Sequence, residues 1–119
     1  MPVEPISMLT TPDPEAAITA AVGAIDAGRL VVVPTETVYG AAGRLDLPDA
    51  VRRLRALRGK ATGPFTVHVA RARQIEPFVG RVSDLATRMI QKLWPGPVAL
   101  VFDVPADVRA AAAKRLGLD

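Results

Sequence analysis

The chain contains no cysteine, a single histidine, His68, and few aromatic residues, 4% of 119. Without cysteine, these residues form no disulfide, no zinc–thiolate or iron–sulfur site and no thiol nucleophile. One histidine excludes a metal site built from several histidines. No apolar run approaches the roughly 20 residues that cross a bilayer, and the N-terminus lacks the basic segment and long apolar run of a signal peptide. These absences predict a soluble, cytoplasmic protein that does not associate with membranes.

What the chain does contain is enough apolar sequence for a core. Half of its residues are hydrophobic and 23% are charged, a composition typical of a globular chain rather than a disordered one. The length fits one domain. We expect residues 1–12, rich in proline and threonine, to form an extended lead-in, and residues 13–119 to form the domain.

Positive charge is concentrated in the middle of the chain. Residues 44–73 include eight basic and two acidic residues, so this stretch carries +6 while the whole chain carries +3. Such a block indicates an anionic partner, for example a nucleotide or an RNA backbone. The alternative is a helix face that is merely solvated.

Helical and strand patterns alternate along the sequence. Caps and apolar spacing predict helices over residues 14–27, 48–58, 71–78, 84–93 and 107–116, with Gly117 following the last one. β-branched and alternating runs predict strands at 30–33, 65–69 and 98–102, the first buried on both faces. Because three strands are few, we expect either a further hairpin strand within 40–47 or a domain that lacks its C-terminal part. The sequence therefore predicts an α/β or α+β fold with a twisted, mostly mixed sheet and flanking helices.

Apolar spacing also predicts which helix faces are buried. The predicted core-facing residues are Ile18, Val22 and Ile25 in the first helix, Val51, Leu54 and Leu57 in the second, and Leu85, Met89, Ile90 and Leu93 in the fourth.

A cluster of polar side chains follows the valine run directly. Residues 34–40 supply two hydroxyls, a carboxylate and a phenol, and ligands of open α/β sheets bind beyond the carboxyl ends of strands. Thr35, Thr37 and Tyr39 are therefore candidates for contacts to a small polar substrate. The alternative is a turn in which the threonine hydroxyls bond to nearby backbone groups.

Two cations flank a glycine where the second predicted helix ends. Arg58 and Lys60 can hold a triphosphate, the arginine through paired donors and the lysine as a point charge. Alternatively, they complement the dipole of the helix. His68 shares one face of its predicted strand with Thr66, opposite the apolar residues. It is a candidate ligand contact or a structural residue.

Three stretches, GRLVVVPTETVYGAAG, ALRGK…GPFTVHV and LWPGPVALVF, resemble the YrdC-like family of threonylcarbamoyl-AMP synthases in sequence, order and spacing. The resemblance runs from about residue 16 to residue 102 and covers only the first part of the family's domain. It implies an α/β fold with a concave, positively charged cavity. It also implies a reaction in which L-threonine, bicarbonate and ATP give threonylcarbamoyl-AMP and pyrophosphate, for threonylcarbamoylation of a tRNA adenosine.

The resemblance implies roles for individual residues. Those placed against the threonine substrate are Thr35, Thr37, Tyr39 and His68, and those placed against ATP are Arg58, Lys60, Gly63 and Pro64. Arg58 and Lys60 stand in the reverse order of the family's Lys-x-Arg, and the family's Ser-x-Asn motif does not occur in these residues. No catalytic side chain is implied, since positioning and charge neutralisation carry the reaction.

The resemblance also implies partners. Mg²⁺ is expected with ATP, with no protein ligand identified for it. tRNA or another RNA and downstream threonylcarbamoyl-transferase proteins are further expected partners. Two other functions stay open from the sequence: a non-catalytic RNA- or nucleotide-binding module, and a carbamoyl-adenylate domain of another pathway.

Overall fold

The computed structural model describes residues 12–116, and nearly all of the predicted lead-in, together with Gly117, lies outside them. The described residues form five α-helices, one 3₁₀ turn and one sheet of two antiparallel strands. This mixture of helix and strand confirms the predicted α/β class. The chain divides into two compact units, Met1–Thr62 and Gly63–Asp119.

The first unit contains two helices and a hairpin. Its elements are α1 (Pro14–Asp26), β1 (Val31–Val33), β2 (Gly40–Ala42) and α2 (Pro48–Arg58). α1 begins as predicted, because the Asp13 carboxylate accepts a hydrogen bond of 3.0 Å from the backbone N–H of Ala16. After α1, Gly28 adopts a φ of +73°, a conformation that favours glycine, and the chain turns toward β1.

The hairpin pairs β1 with β2 in a register that sets Val31 opposite Ala42 and Val33 opposite Gly40. A strand within residues 40–47 is thereby confirmed. The prediction that the valine run is buried on both faces is wrong: Val32 is 55% exposed and Val33 38%. Among the described residues β1 has one neighbouring strand and packs against α1, which is too little cover for both faces.

Small residues form the tight contacts of the first unit. Ala17 of α1 and Ala50 of α2 are buried, and Ala50 lies against the backbone at Gly43, where a Cβ atom would come within 3.6 Å of the Ala50 Cβ. The predicted stripes are only partly covered. Ile18, Val22 and Leu57 are more than half exposed, a correction to the prediction. Their helices pack through alanine, so the larger side chains beside it stay at the surface.

The second unit contains the remaining helices. They are a 3₁₀ turn (Ala72–Ile75), α3 (Glu76–Val79), α4 (Asp84–Leu93) and α5 (Ala106–Arg115). α4 begins as predicted, with the Ser83 hydroxyl accepting from the Ala86 N–H at 3.2 Å. Of its predicted stripe Ile90 is buried, but Leu85 and Met89 are exposed at 62% and 39%. α3 packs against α5, where Gly80 approaches Val108.

The strands predicted at residues 65–69 and 98–102 are wrong, since neither segment joins a ladder in residues 12–116. The alternation still shows in the exposure: Phe65 and Val67 are half-buried, whereas Thr66 and His68 are exposed. A strand needs a neighbour to pair with its backbone groups, and local sequence does not supply one. The sheet of the described residues is therefore the hairpin alone, not the larger mixed sheet that was expected.

None of the helices in residues 12–116 combines the length and the apolar character of a membrane span.

Candidate substrate and nucleotide site

The hairpin loop, residues 34–39, joins β1 to β2 and is organised by one side chain. The Thr35 hydroxyl oxygen accepts from the backbone N–H groups of Thr37 (3.2 Å) and Val38 (3.1 Å) and donates to the Val38 carbonyl at 2.5 Å. The alternative interpretation of these threonines, in which their hydroxyls bond to nearby backbone groups, is therefore confirmed for Thr35. It fixes the shape of the loop from within.

The same loop presents its other side chains to solvent. Thr37 is exposed, and its hydroxyl oxygen lies 3.4 Å from that of Thr35. Tyr39 is 76% exposed and Val38 70%. The structure thus brings Thr35 and Thr37 together and leaves Thr37 and Tyr39 accessible to a ligand.

The second group of candidate residues lies at the end of α2. Gly59 follows the helix with a φ of +66°, and its N–H bonds to the carbonyls of Arg55 and Ala56. Arg58 on one side of this glycine is half-buried, and Lys60 on the other is exposed. Two cations at a helix C-terminus complement its dipole and equally suit an anionic ligand.

Part of the positive charge that precedes them is already paired. Arg52 contacts Asp49 at 2.6 Å in the first turn of α2, and Arg53 donates to the carbonyl of Gly28 at 3.1 Å. Arg53 therefore joins α2 to the end of α1. The charge count of the sequence did not reveal these contacts, although the Asp49–Arg52 spacing of three residues is a recognisable helix pair.

A third arginine lies between two carboxylates. Arg44 donates to both oxygens of Asp46 and, through Nη1, to Asp26 at 2.9 Å. These hydrogen bonds and charges lower the pKa of Asp46 and raise that of Arg44. Sequence analysis missed this cluster, because Asp26 is 18 residues away. Only the short Arg-x-Asp spacing hinted at it.

The remaining candidates belong to the second unit. Gly63 adopts a φ of +115° and Pro64 follows it, both exposed and both in contact with other residues. His68 lies further along the same irregular segment with its side chain exposed. An exposed imidazole is available to a ligand, as the alternation of this segment predicted.

A depression of about 450 Å³ lies where α1 ends and α2 begins. It is lined by Asp26, Ala27, Gly28, Leu47, Pro48 and Asp49, none of which was a candidate. Its two carboxylates are the partners of Arg44 and Arg52, so it is not a site suited to a triphosphate. Within residues 12–116 no group of three or more His, Asp or Glu side chains could hold a metal ion.

The described residues thus combine a hairpin loop that carries accessible hydroxyls with a helix that is followed by a glycine between two cations. Residues 23–118 match the Sua5/YciO/YrdC family, which carries the description telomere recombination. The chain belongs to this family, and the resemblance seen in the sequence is confirmed.

Several curated relatives are named threonylcarbamoyl-AMP synthase. The protein of Bacillus subtilis is 32% identical over 100 residues, which are 83% of this chain and 28% of the relative. That of Pyrococcus abyssi is 36% identical over 86 residues, 71% of this chain and 25% of the relative. That of Photobacterium profundum is 33% identical over 90 residues, which are 73% of this chain and 49% of the relative. The chain thus spans between a quarter and half of the length of these relatives. No solved structure gives a significant match.

Proposed function

We propose that this chain binds L-threonine and ATP as the corresponding portion of a threonylcarbamoyl-AMP synthase. In this reaction L-threonine, bicarbonate and ATP give threonylcarbamoyl-AMP and pyrophosphate. The observation that carries the proposal is the hairpin loop, an internally bonded turn that presents Thr37 and Tyr39, in a chain of the Sua5/YciO/YrdC family. The names of the relatives support the substrate assignment.

On the amino-acid side, Thr37 is the residue that contacts the threonine substrate. Its hydroxyl both donates and accepts, which suits the ammonium and carboxylate of an amino acid. Thr35 holds the loop in shape, and Tyr39 provides an exposed ring and a hydroxyl beside it. The family resemblance makes His68, whose side chain is exposed, a further candidate for a contact to the amino acid.

On the nucleotide side, Lys60 and Arg58 neutralise the phosphates of ATP. Lys60 is exposed and Arg58 is half-buried. A lysine ammonium carries three rotatable donors, whereas an arginine guanidinium presents its donors in a planar fork. The family resemblance makes Gly63 and Pro64 further candidates for contacts to the nucleotide. Gly63, with its positive φ and no side chain, permits close approach of a ligand to the backbone.

The chemistry needs no protein nucleophile. The threonine amine attacks the carbon of bicarbonate, water leaves, and a carbamate forms. A carbamate oxygen then attacks the α-phosphorus of ATP, and the bond to the β-phosphate oxygen breaks to release pyrophosphate. The side chains position the reactants and offset the charge that develops on the phosphates. Mg²⁺ enters as part of the substrate, bound to the phosphate oxygens of ATP.

The product is an activated carbamate, and we propose that it serves threonylcarbamoylation of tRNA in the cytoplasm, with a transferase protein as the next partner. A mixed anhydride of this kind is prone to hydrolysis, so transfer to a second protein must be rapid.

Calorimetric titration of the chain tests the proposal. We expect L-threonine to bind more tightly than L-serine, and a non-hydrolysable ATP analogue to bind in the presence of magnesium. Binding of carbamoyl phosphate in place of threonine would indicate a carbamoyl-adenylate domain of another pathway. Absence of both threonine and nucleotide binding would contradict the proposed function. Because the chain spans at most half of the relatives, we expect binding without turnover, and pyrophosphate release that requires threonine and bicarbonate would correct this.

A second function, RNA binding without catalysis, is favoured by the basic stretch between residues 44 and 73. It predicts an RNA affinity that falls steeply as salt rises, in a chain that does not bind threonine. Titration with RNA at several salt concentrations, beside the titration with L-threonine, therefore distinguishes the two functions.

A further inference from the structure

The hydrogen bonds of the hairpin loop occupy backbone donors that a ligand would otherwise use. The Thr35 hydroxyl oxygen accepts from the N–H groups of Thr37 and Val38, at 3.2 Å and 3.1 Å, and its own proton is donated to the Val38 carbonyl. A hydroxyl has one proton and two lone pairs, so this group has no capacity for a further partner. These contacts lie within residues 35–38 and do not depend on the rest of the chain.

This bonding determines which groups of the loop are left for a ligand. Neighbouring N–H groups that converge on one point commonly bind anionic oxygens, but here they converge on the Thr35 hydroxyl. The Thr37 hydroxyl oxygen lies 3.4 Å from that of Thr35, which is longer than the usual hydrogen bond between hydroxyls. The Thr37 hydroxyl therefore keeps its lone pairs for a ligand, while the two N–H groups beside it are engaged.

The charge of the loop acts in the same direction. Glu36 is the only charged residue among residues 34–39, and its side chain is exposed. A carboxylate or phosphate that approached Thr37 would be repelled by Glu36, whereas an ammonium group would be attracted. The engaged N–H groups and the negative charge thus both favour a cationic group over an anionic one.

We infer that the loop binds the ammonium end of the amino acid and not its carboxylate. The Thr37 hydroxyl oxygen accepts one ammonium hydrogen, and Glu36 supplies the opposite charge. Thr35 is a positioning residue, because it occupies the N–H groups that would otherwise bind an anion. The inference rests on the proposed function, from which it takes the amino acid at Thr37. Since the amine forms the new bond to carbon in that reaction, the loop holds the reacting end of the substrate.

Calorimetric titration of the full chain with three ligands tests this orientation. L-threonine carries both charged groups, L-threoninamide lacks the carboxylate, and 2,3-dihydroxybutyrate carries a hydroxyl in place of the ammonium. We expect L-threoninamide to bind, and 2,3-dihydroxybutyrate to bind roughly tenfold more weakly than L-threonine. Glu36→Gln should weaken the binding of L-threonine and of L-threoninamide by about tenfold each. Glu15→Gln, which removes the same charge from an exposed position in α1, is the matched control and should bind like the parent.

The role of Thr35 is tested with an inorganic anion and without any amino acid. Sulfate is titrated while the amide signals of Thr37 and Val38 are followed by NMR. In the parent and in Thr35→Ser these signals should not move, because a hydroxyl occupies both N–H groups. In Thr35→Ala the freed N–H groups should bind sulfate, and their signals should shift. A substitution that merely loosened the loop would not produce this response.

The outcomes separate this inference from the proposed function. A parent chain that binds neither L-threonine nor L-threoninamide contradicts the proposed function and removes the ligand named here, while the sulfate titration still decides the role of Thr35. Binding of L-threonine and 2,3-dihydroxybutyrate but not of L-threoninamide agrees with the proposed function and overturns the inference. Unchanged affinity in Glu36→Gln overturns it as well, as does an equal response to sulfate in the parent and in Thr35→Ala.

Discussion

Arg44 donates two parallel hydrogen bonds to Asp46, from Nε to Oδ1 at 2.8 Å and from Nη2 to Oδ2 at 2.5 Å. Its third donor, Nη1, bonds to Asp26 at the end of α1. Paired geometry of this kind is stronger and more specific than a single contact. These hydrogen bonds therefore join the segment that follows β2 to the end of α1. They fix the position from which the chain continues to α2.

Replacement of Asp46 by asparagine is expected to weaken the dependence of the free energy of unfolding on pH in the acid range. Hydrogen bonds from Arg44 hold the pKa of the Asp46 carboxyl below its ordinary value. The unfolded chain therefore takes up this proton more readily than the folded chain. The stabilisation is complete above the ordinary aspartate pKa of about 4, and it is lost as the pH falls through the lower folded-state value.

Urea denaturation of the parent and of Asp46→Asn, from neutral to strongly acid pH, measures this effect. The two free energies of unfolding should differ at neutral pH and converge in acid. Arg44→Lys, which keeps the charge but loses the paired geometry, should fall between them. If the free energies of unfolding of the parent and of Asp46→Asn differed by the same amount at every pH, the effect of Asp46 would not come from its ionisation.

Thr35→Ala is expected to loosen the hairpin loop. The substitution removes one acceptor shared by two backbone N–H groups and one donor to the Val38 carbonyl. An intramolecular hydrogen bond contributes about 0.5–1.5 kcal/mol, so the loop should lose order without unfolding the unit. Faster amide exchange at Thr37 and Val38 is the measurement. Thr35→Ser, which keeps the hydroxyl, should exchange at the rate of the parent, and loss of order in both variants would point to the methyl group instead.

Lys60→Ala is expected to weaken the affinity for an ATP analogue by about tenfold, as one charge-assisted contact contributes about 1.5–3 kcal/mol at most. Affinity for L-threonine should not change, because Lys60 lies at the end of α2 and not in the hairpin loop. Arg52→Ala is the matched control: it removes a cation from α2, the helix that precedes Lys60, but one that is paired with Asp49. An equal loss of affinity in both variants would indicate a general effect of net charge.

Two glycine-to-alanine substitutions should have opposite effects. At Gly96 the new methyl group would collide with the backbone carbonyl of Leu93, in the turn where the Trp94 indole donates to the Val98 carbonyl at 2.7 Å. Backbone must shift to accept it, at a cost of about 1–3 kcal/mol. At Gly23, inside α1, the methyl group meets no atom within 4 Å and should stabilise the helix by about 0.5–1 kcal/mol.

Thermal denaturation reports both variants. Since Trp94 is the chain's single tryptophan, its fluorescence also shows whether the Gly96→Ala turn has moved. A Gly96→Ala chain with unchanged fluorescence and melting temperature would show that the turn accommodates the methyl group.

Helix starts were predictable because their signals are local. Asp13 and Ser83 cap the helices that follow them through bonds to a residue three positions on. The exposed faces were less predictable. Ile18 and Leu85 have helical spacing, but whether a stripe is covered depends on which element packs against it, and here alanines occupy the contacts.

In the candidate site, too, the sequence indicated local features, and the tertiary structure decided how they are used. The sequence indicated that the threonines after the valine run were either substrate contacts or local bonding groups. The structure separates them, since Thr35 bonds within the loop while Thr37 is exposed. The strands expected at residues 65–69 and 98–102 have no partner in residues 12–116, although their sequences suit one.

By itself, then, the sequence determined the bounds of four of the five predicted helices, the hydroxyl-rich loop, the cations around Gly59 and the family; the helix expected at residues 71–78 is instead a 3₁₀ turn followed by the short α3. Each of these depends on residues within a few positions of one another. Only the tertiary structure decided that Val32 is exposed, that Arg44 reaches Asp26 and that residues 65–69 and 98–102 join no ladder within residues 12–116. Those outcomes depend on elements far apart in the chain, and the free energy of packing them is not encoded in any one segment.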